Sequence, residues 1–237
     1  MARLPRLVVA NHLHHLKALA HHQQVLFVDE PDYQHFLNVM AEAAQRHRVA
    51  LHAYVLLPDR VHLLATPSDA EGLGKMMQGL GRVYVPYFNQ RHGRSGSLWG
   101  GRYRATVVDA ESSFTACTHF IEQLPVQTGV SHEMAAYPWS SYAHHAGLSR
   151  RPWLTDHPAY WALGNTPFER EAAYQQVSKS PVDSAVSERI WLATRKAWAL
   201  GSEDFCRRLA KLTMRRLTPA KRGRPRKATM EQGLALK

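Results

Sequence analysis

Long apolar runs are missing from this chain. No stretch approaches the ~20 consecutive apolar residues that a membrane-spanning helix needs, and the opening MARLPRLVVANHLHH lacks the apolar core of a signal peptide. A cytoplasmic, nucleoid-associated protein with no membrane partner is the expectation. Cysteine is also scarce. Cys117 and Cys206 are the only two. They are far apart and form no CxxC, which argues against a disulfide framework or a zinc site and for free buried thiols. Acidic residues are under-represented: 19 Asp and Glu face 30 Lys and Arg, for a formal net charge of +11. Such an excess calls for an anionic partner, nucleic acid or a membrane surface. Residues 207–227 hold ten Lys and Arg and no Asp or Glu. The basic helix expected near Ser202–Arg216 lacks the bulky apolar face of an interfacial anchor, which favours nucleic acid. No internal repeat is present.

What the chain does contain is organised around LHAYVLLPDRVHLLA, residues 51–65. Two apolar runs joined by Pro58-Asp59 read as a β-hairpin. Leucines on both faces predict a hairpin central in its sheet. Arg60 and His62 are two apart on one strand and so share a face. Before the hairpin come a strand within Arg6–Leu19 and an amphipathic helix over Pro31–Arg48, with Tyr33, Phe36, Leu37, Met40 and Ala44 at helical spacing. The five histidines between His12 and His22 lack the separated-pair spacing of a zinc site. After the hairpin, Ser68 and Glu71 fit a capping box for a helix carrying Leu73 to Phe88. A Gly- and Arg-rich loop follows, then a strand over Arg102–Asp109. A helix over Ala110–Gln123 comes next, which Pro125 should end. The order predicts an α+β, ferredoxin-like antiparallel sheet with helices on one face and the other face open. Beyond about Arg150 the pattern turns helical. Helices begin at Thr166-Pro167, at Asp183 and at Ser202.

The hairpin, the basic loop, the Asp-led helix and the turn YPWSSY occur in a recognisable order. With FVDEPDYQHFL, GRVYVPYFNQR, GSLWGGRYRATVVD and FIEQLPVQTG, the chain resembles the REP-associated tyrosine transposases and related single-tyrosine transposases of the HUH class. The likeness runs from residue 1 to about 148. It implies a transposase-like HUH domain over 1–148; the helical pattern and the basic run that follow mark a helical region over 149–218 and a basic tail over 219–237. It also implies a chemistry. Two histidines in an H-x-H pattern on one strand hold a divalent metal, Mg²⁺ or Mn²⁺. A tyrosine on a later helix attacks a DNA phosphodiester, and a polar residue four positions on completes the metal shell. The metal polarises the phosphate, the tyrosine forms the covalent intermediate, and i, i+4 spacing puts nucleophile and ligand on one helical face.

This chain departs from that pattern at three of four positions. Arg60 stands where the first histidine is expected, and His62 matches the second. In the motif resembling YIELNP, this chain reads FIEQLP, with Phe120 for the tyrosine and Leu124 for the polar residue. Phenylalanine has no nucleophilic oxygen, leucine ligates nothing, and one imidazole is a poor site for a hard cation. The expectation is a copy that no longer cleaves DNA and needs no cofactor, with His62 a remnant metal ligand. In it Arg60 would be either solvated or a phosphate clamp. Tyr84 and Tyr103 are the conceivable substitute nucleophiles.

DNA binding should survive that loss. Arg91, Arg94, Trp99, Arg102, Tyr103 and Arg104 interleave cations with aromatics, a pattern that tracks phosphates and stacks on unpaired bases. In the tail, KRGRPRK places Lys221, Arg222, Arg224, Arg226 and Lys227 around Gly-Arg-Pro, an AT-hook-like arrangement suited to the minor groove of A·T-rich duplex DNA. Three readings follow: a single-stranded or hairpin DNA-binding relative of transposases with lost cleavage, an active transposase with an altered site, and a regulator acting through its basic C-terminal region.

Overall fold

The computed structural model describes residues 6–21 and 24–218. The tail residues 221–227 and part of the histidine-rich stretch lie outside the described residues. The chain runs β1 (Leu13–Leu19), α1 (Glu30–Arg46), β2 (Val49–Leu57), β3 (Arg60–Pro67), α2 (Gly72–Arg91), β4 (Arg104–Val108) and α3 (Ala110–Gln127). Two single turns, α4 (Tyr142–His145) and α5 (Pro158–Trp161), lead to α6 (Pro167–Ser178), α7 (Ser184–Lys196) and α8 (Glu203–Thr213). The strands form one antiparallel sheet in the order β2-β3-β1-β4, the order of a ferredoxin-like α+β fold. Among the described residues, no helix is long and apolar enough to cross a membrane.

Strand alternation divides the core. Leu16, Tyr54, Leu56, Val61, Leu63 and Ala105 face α1 and α2. Leu13, Ala53, Val55, Leu57, Leu64 and Val108 face α3 and the C-terminal helices, with Phe114, Ile121, Tyr174 and Ile190. The open face expected from the sequence is therefore covered. Helices pack on both sides, because α3 crosses the second face and α7 lies beside it. The hairpin is also not wholly central. β3 is internal, but β2 is the edge strand. Its leucines are buried because Trp139–Ser141 runs along that edge, the Leu56 N–H donating to the Trp139 carbonyl at 2.9 Å and the Ser141 N–H to Tyr54 at 3.0 Å. A covered edge reads in sequence like an interior strand.

Local chemistry accounts for most boundaries. Asp29 caps α1, Pro31 sits in its first turn, and Arg48 at φ +50° turns the chain into β2. The capping box at Ser68 does not form. Asp69 Oδ1 instead accepts from the N–H groups of Glu71 and Gly72. Pro125 lies inside α3, which runs on to Gln127. Asp109 precedes α3, but its carboxylate accepts from Ser112 and from Ser202 at the head of α8. Thr166 and Glu169 form a capping box on α6, and Asp183 and Ser202 cap α7 and α8 as expected. Both cysteines are free and buried.

One buried carboxylate ties the C-terminal helices to the sheet. Glu122 Oε1 accepts from Ser141 Oγ at 2.5 Å and from His145 Nδ1 at 2.7 Å. Its Oε2 accepts from Tyr174 Oη at 2.5 Å. Replacing it leaves His145 Nδ1 and Tyr174 Oη unpartnered, at about 1–3 kcal/mol each, while Ser141 Oγ keeps the Tyr54 carbonyl at 3.3 Å. Glu122→Leu is expected to lower urea-unfolding stability by roughly 3 kcal/mol or more, and an unchanged midpoint would contradict the role given to this carboxylate.

Two buried histidines make stability depend on pH. His14 donates Nδ1–H to the His12 carbonyl at 2.7 Å and accepts the Val9 N–H at Nε2. His52 donates to the Thr155 carbonyl at 2.7 Å and accepts from Thr66 Oγ1. Burial pushes each down from 6.5 to about 4. Between those values the unfolded chain binds a proton that the folded chain does not, so stability is full above pH 6.5 and falls towards pH 4. Each site contributes a slope of about 1.4 kcal/mol per pH unit. Urea unfolding of His14→Gln at pH 7, 6 and 5 should show a shallower decline than the parent chain. An equal slope would refute the assignment.

Candidate functional site

On the sheet face under α3, alternation brings Arg60 and His62 of β3 to the same side as His15 and Lys17 of β1. The register sets His62 opposite Lys17 and Arg60 opposite Leu19. His15 and His62 are diagonal neighbours. His15 Nε2 and His62 Nδ1 are 2.9 Å apart, and the rings stack at 5.1 Å. On the far side of His15, Nδ1 lies 2.7 Å from Thr194 Oγ1 of α7, which donates to the Ile190 carbonyl at 3.0 Å. That last bond orders the chain: His15 Nδ1–H donates to Thr194, and His62 Nδ1–H donates to His15 Nε2. His62 Nε2 is left as a buried lone pair with no partner. Burial drives His15 down to about 3 and His62 well below the usual imidazole range, with the Lys17 charge adding to both, so both rings are neutral near pH 7.

α3 closes the site from above. The Phe120 ring stands edge-on to both imidazoles, with centroids 6.1 Å from His15 and 6.3 Å from His62. Leu124 follows one turn later, and both side chains belong to the apolar core of this face. The three departing positions therefore converge in space as the resemblance requires. The chemistry does not follow: the ring beside His62 carries no oxygen. Tyr84 and Tyr103 pack on the opposite side of the sheet, so neither stands in for the tyrosine.

Arg60 is clasped by its neighbour. Its Nε and Nη2 donate to the two Asp59 carboxylate oxygens, each at 2.7 Å, and that partner raises its pKa. The guanidinium fork expected to grip a phosphate is thus satisfied within the turn. The cation pointing into the site is Lys17, which sequence reasoning missed. Lys17 is only 6 % exposed. Its Nζ lies 4.0 Å from the Trp191 ring centroid. Burial first, then the Arg60 charge, lowers its pKa to about 8.

These groups line a cleft of about 390 Å³, with Phe120 and Leu124 of α3 on one side and Ser187, Glu188 and Trp191 of α7 on another. A divalent metal does not fit it. His62 Nε2 is the single imidazole donor free to ligate. Arg60 and Lys17 add positive charge beside it, and among the described residues no group of three or more His, Cys, Asp or Glu comes together.

The residues expected to contact DNA fall into two sets. Arg91 is held by Asp29 and by the fully buried Asp32, which also meets His92. Arg94 donates to Gln24 at 2.5 Å and lies over Phe88. Both brace α2. Trp99 packs against the core at the end of the basic loop, next to Gly100, where a Cβ would meet the Ala20 carbonyl at 2.5 Å. Tyr103 is covered by the Arg6 guanidinium at 3.9 Å. Arg104 donates to the Arg195 carbonyl at the end of α7. Arg102 is exposed, with no partner among the described residues. Arg102, Arg104 and Lys17 line a small basic recess that shares Lys17 with the cleft.

Residues 8–124 match the model of the IS200-like transposase family. No curated protein matches the chain. Among solved structures, a REP-associated tyrosine transposase bound to a REP hairpin shares the fold, at 14% identity and a TM-score of 0.51, over 67% of this chain and 96% of that one. A transposase-like protein from Deinococcus radiodurans R1 matches at 20% identity over 54% of this chain and 95% of that one, with a TM-score of 0.36, which carries no weight for the fold. The family match and the shared fold place residues 8–124 of this chain in the IS200-like transposase family.

Proposed function

We propose that this chain binds single-stranded or hairpin DNA and has lost metal-dependent tyrosine strand cleavage. One observation carries the reading: at the convergence of β1, β3 and α3, the ring 6.3 Å from His62 is Phe120. The frame that aims a nucleophile is intact, and the nucleophile is missing. The net charge of +11 and the basic recess around Arg102 support the DNA partner. The hairpin bound by the structurally similar transposase supports a folded single strand as the ligand class.

A labelled DNA hairpin incubated with Mg²⁺ or Mn²⁺ should yield no covalent protein–DNA adduct with the native chain. The combined change Arg60→His, Phe120→Tyr and Leu124→Asn should produce one, because it restores nucleophile and ligands on an intact frame. An adduct with the native chain would establish the competing reading, an active enzyme with an altered site.

The tail has a separate role in this proposal. Removing residues 219–237 should abolish any preference for A·T-rich duplex in competition binding at moderate salt, while affinity for a hairpin falls less than about tenfold, as expected for the loss of a short basic segment. Loss of all DNA binding on truncation would transfer recognition to the C-terminal region and favour the regulator reading.

A further inference from the structure

The charge arrangement around Lys17 fits an anion. β1 lies between β3 and β4, and the register places Lys17 directly opposite both His62 and Arg104. Cβ atoms of directly opposed residues are about 5 Å apart, a distance at which like charges destabilise a sheet. The neighbouring cations have intramolecular acceptors, Arg60 in Asp59 and Arg104 in the Arg195 carbonyl. The Lys17 ammonium makes no hydrogen bond or ion pair among the described residues and lies over the Trp191 ring. The Lys17 stem is buried while its ammonium keeps access to the cleft, so its three N–H donors are open to water or to an anionic ligand.

Two polar atoms of residues that line this cleft are buried and unpartnered, His62 Nε2 and Ser187 Oγ. The histidine chain can supply a donor at the first. If the Thr194 hydroxyl turns from the Ile190 carbonyl to His15 Nδ1, then His15 Nε2–H donates to His62 Nδ1. His62 Nε2 then presents N–H to the cleft, with both rings still neutral. An ammonium, an imidazole N–H and a hydroxyl then line one slot. The single carboxylate at its rim, Glu188, pairs with none of them.

We propose that this cleft binds one phosphodiester of a DNA strand directly, with the Lys17 ammonium supplying the positive charge and His62 Nε2 and Ser187 Oγ as further donors to the same phosphate. The proposal rests on the reading of the chain as a DNA-binding protein. Trp191, 47 % exposed at the rim, offers a stacking surface for the adjoining base.

The test uses the full chain and fluorescein-labelled DNA hairpins carrying a 5′ single-stranded extension of randomised sequence, read by anisotropy. Affinity should be the same in EDTA as in MgCl₂. Lys17→Met keeps the stem against Trp191 and removes the charge. It should weaken binding about tenfold and reduce the salt slope by roughly the 0.7–0.9 expected for one phosphate contact, with no loss of thermal stability. Lys17→Arg should retain most of the affinity. Methylphosphonate scanning, which needs no variant, should find one linkage whose neutralisation weakens the native chain about tenfold and leaves Lys17→Met unchanged. If the native chain binds but needs Mg²⁺, or if Lys17→Met binds like the native chain, the phosphate slot is refuted while DNA binding stands. If no hairpin binds, both fall.

Discussion

β1 pairs with β3 on one side and β4 on the other, and the register of those two ladders decides which side chains meet. It sets Lys17 between His62 and Arg104 and lets His15 reach His62 along the diagonal. A slip of one residue would turn every one of these side chains to the opposite face. The two faces of the sheet bury different sets of residues against different helices. Register, core and site are therefore one constraint, and helix α3 can aim position 120 at His62 only because that constraint holds.

The cleft brings together the positions that the family resemblance singles out, and the charges fixed around it are mainly positive. A hard divalent ion needs several oxygen ligands and negative charge close by. Here one unpartnered imidazole nitrogen shares the cleft with the Lys17 ammonium, with arginines on the strands to either side. Positive charge fixed on the protein serves an anion directly and needs no cofactor to bridge two negative partners. The apolar wall of Phe120 and Leu124 strengthens any such interaction by excluding water. The parts hang together in a way that scattered decay would not require: Phe120 contacts both imidazoles, and Thr194, His15 and His62 form one hydrogen-bonded row from α7 to the cleft.

Much of the frame was legible from local pattern. Helical spacing gave α1 and α2, and Pro58-Asp59 gave the turn between β2 and β3. Capping residues gave the starts of α6, α7 and α8. The three altered positions were also legible, because short motifs carry them. The misreadings were non-local. Nothing in residues 51–57 says that Trp139–Ser141 covers the β2 edge, so a covered edge read as an interior strand. The second face read as open because the helices that cover it are separated from the hairpin by tens of residues. Arg60 and Arg91 looked like free cations. Asp59 sits beside the first, but the partners of the second lie on another element. His15 and Lys17 lay in plain view as H-x-K on β1. Only cross-strand register, which sequence does not display, makes them neighbours of His62.

The account stands or falls on what occupies the cleft when DNA is bound. A crystal of the full chain with a DNA hairpin, grown in MnCl₂ and measured at the manganese absorption edge, tests this most directly. The expected result is a backbone phosphate within hydrogen-bonding distance of Lys17 Nζ and no anomalous peak beside His62. A manganese ion on His62 Nε2, or DNA bound well away from β1 and α7, would contradict it.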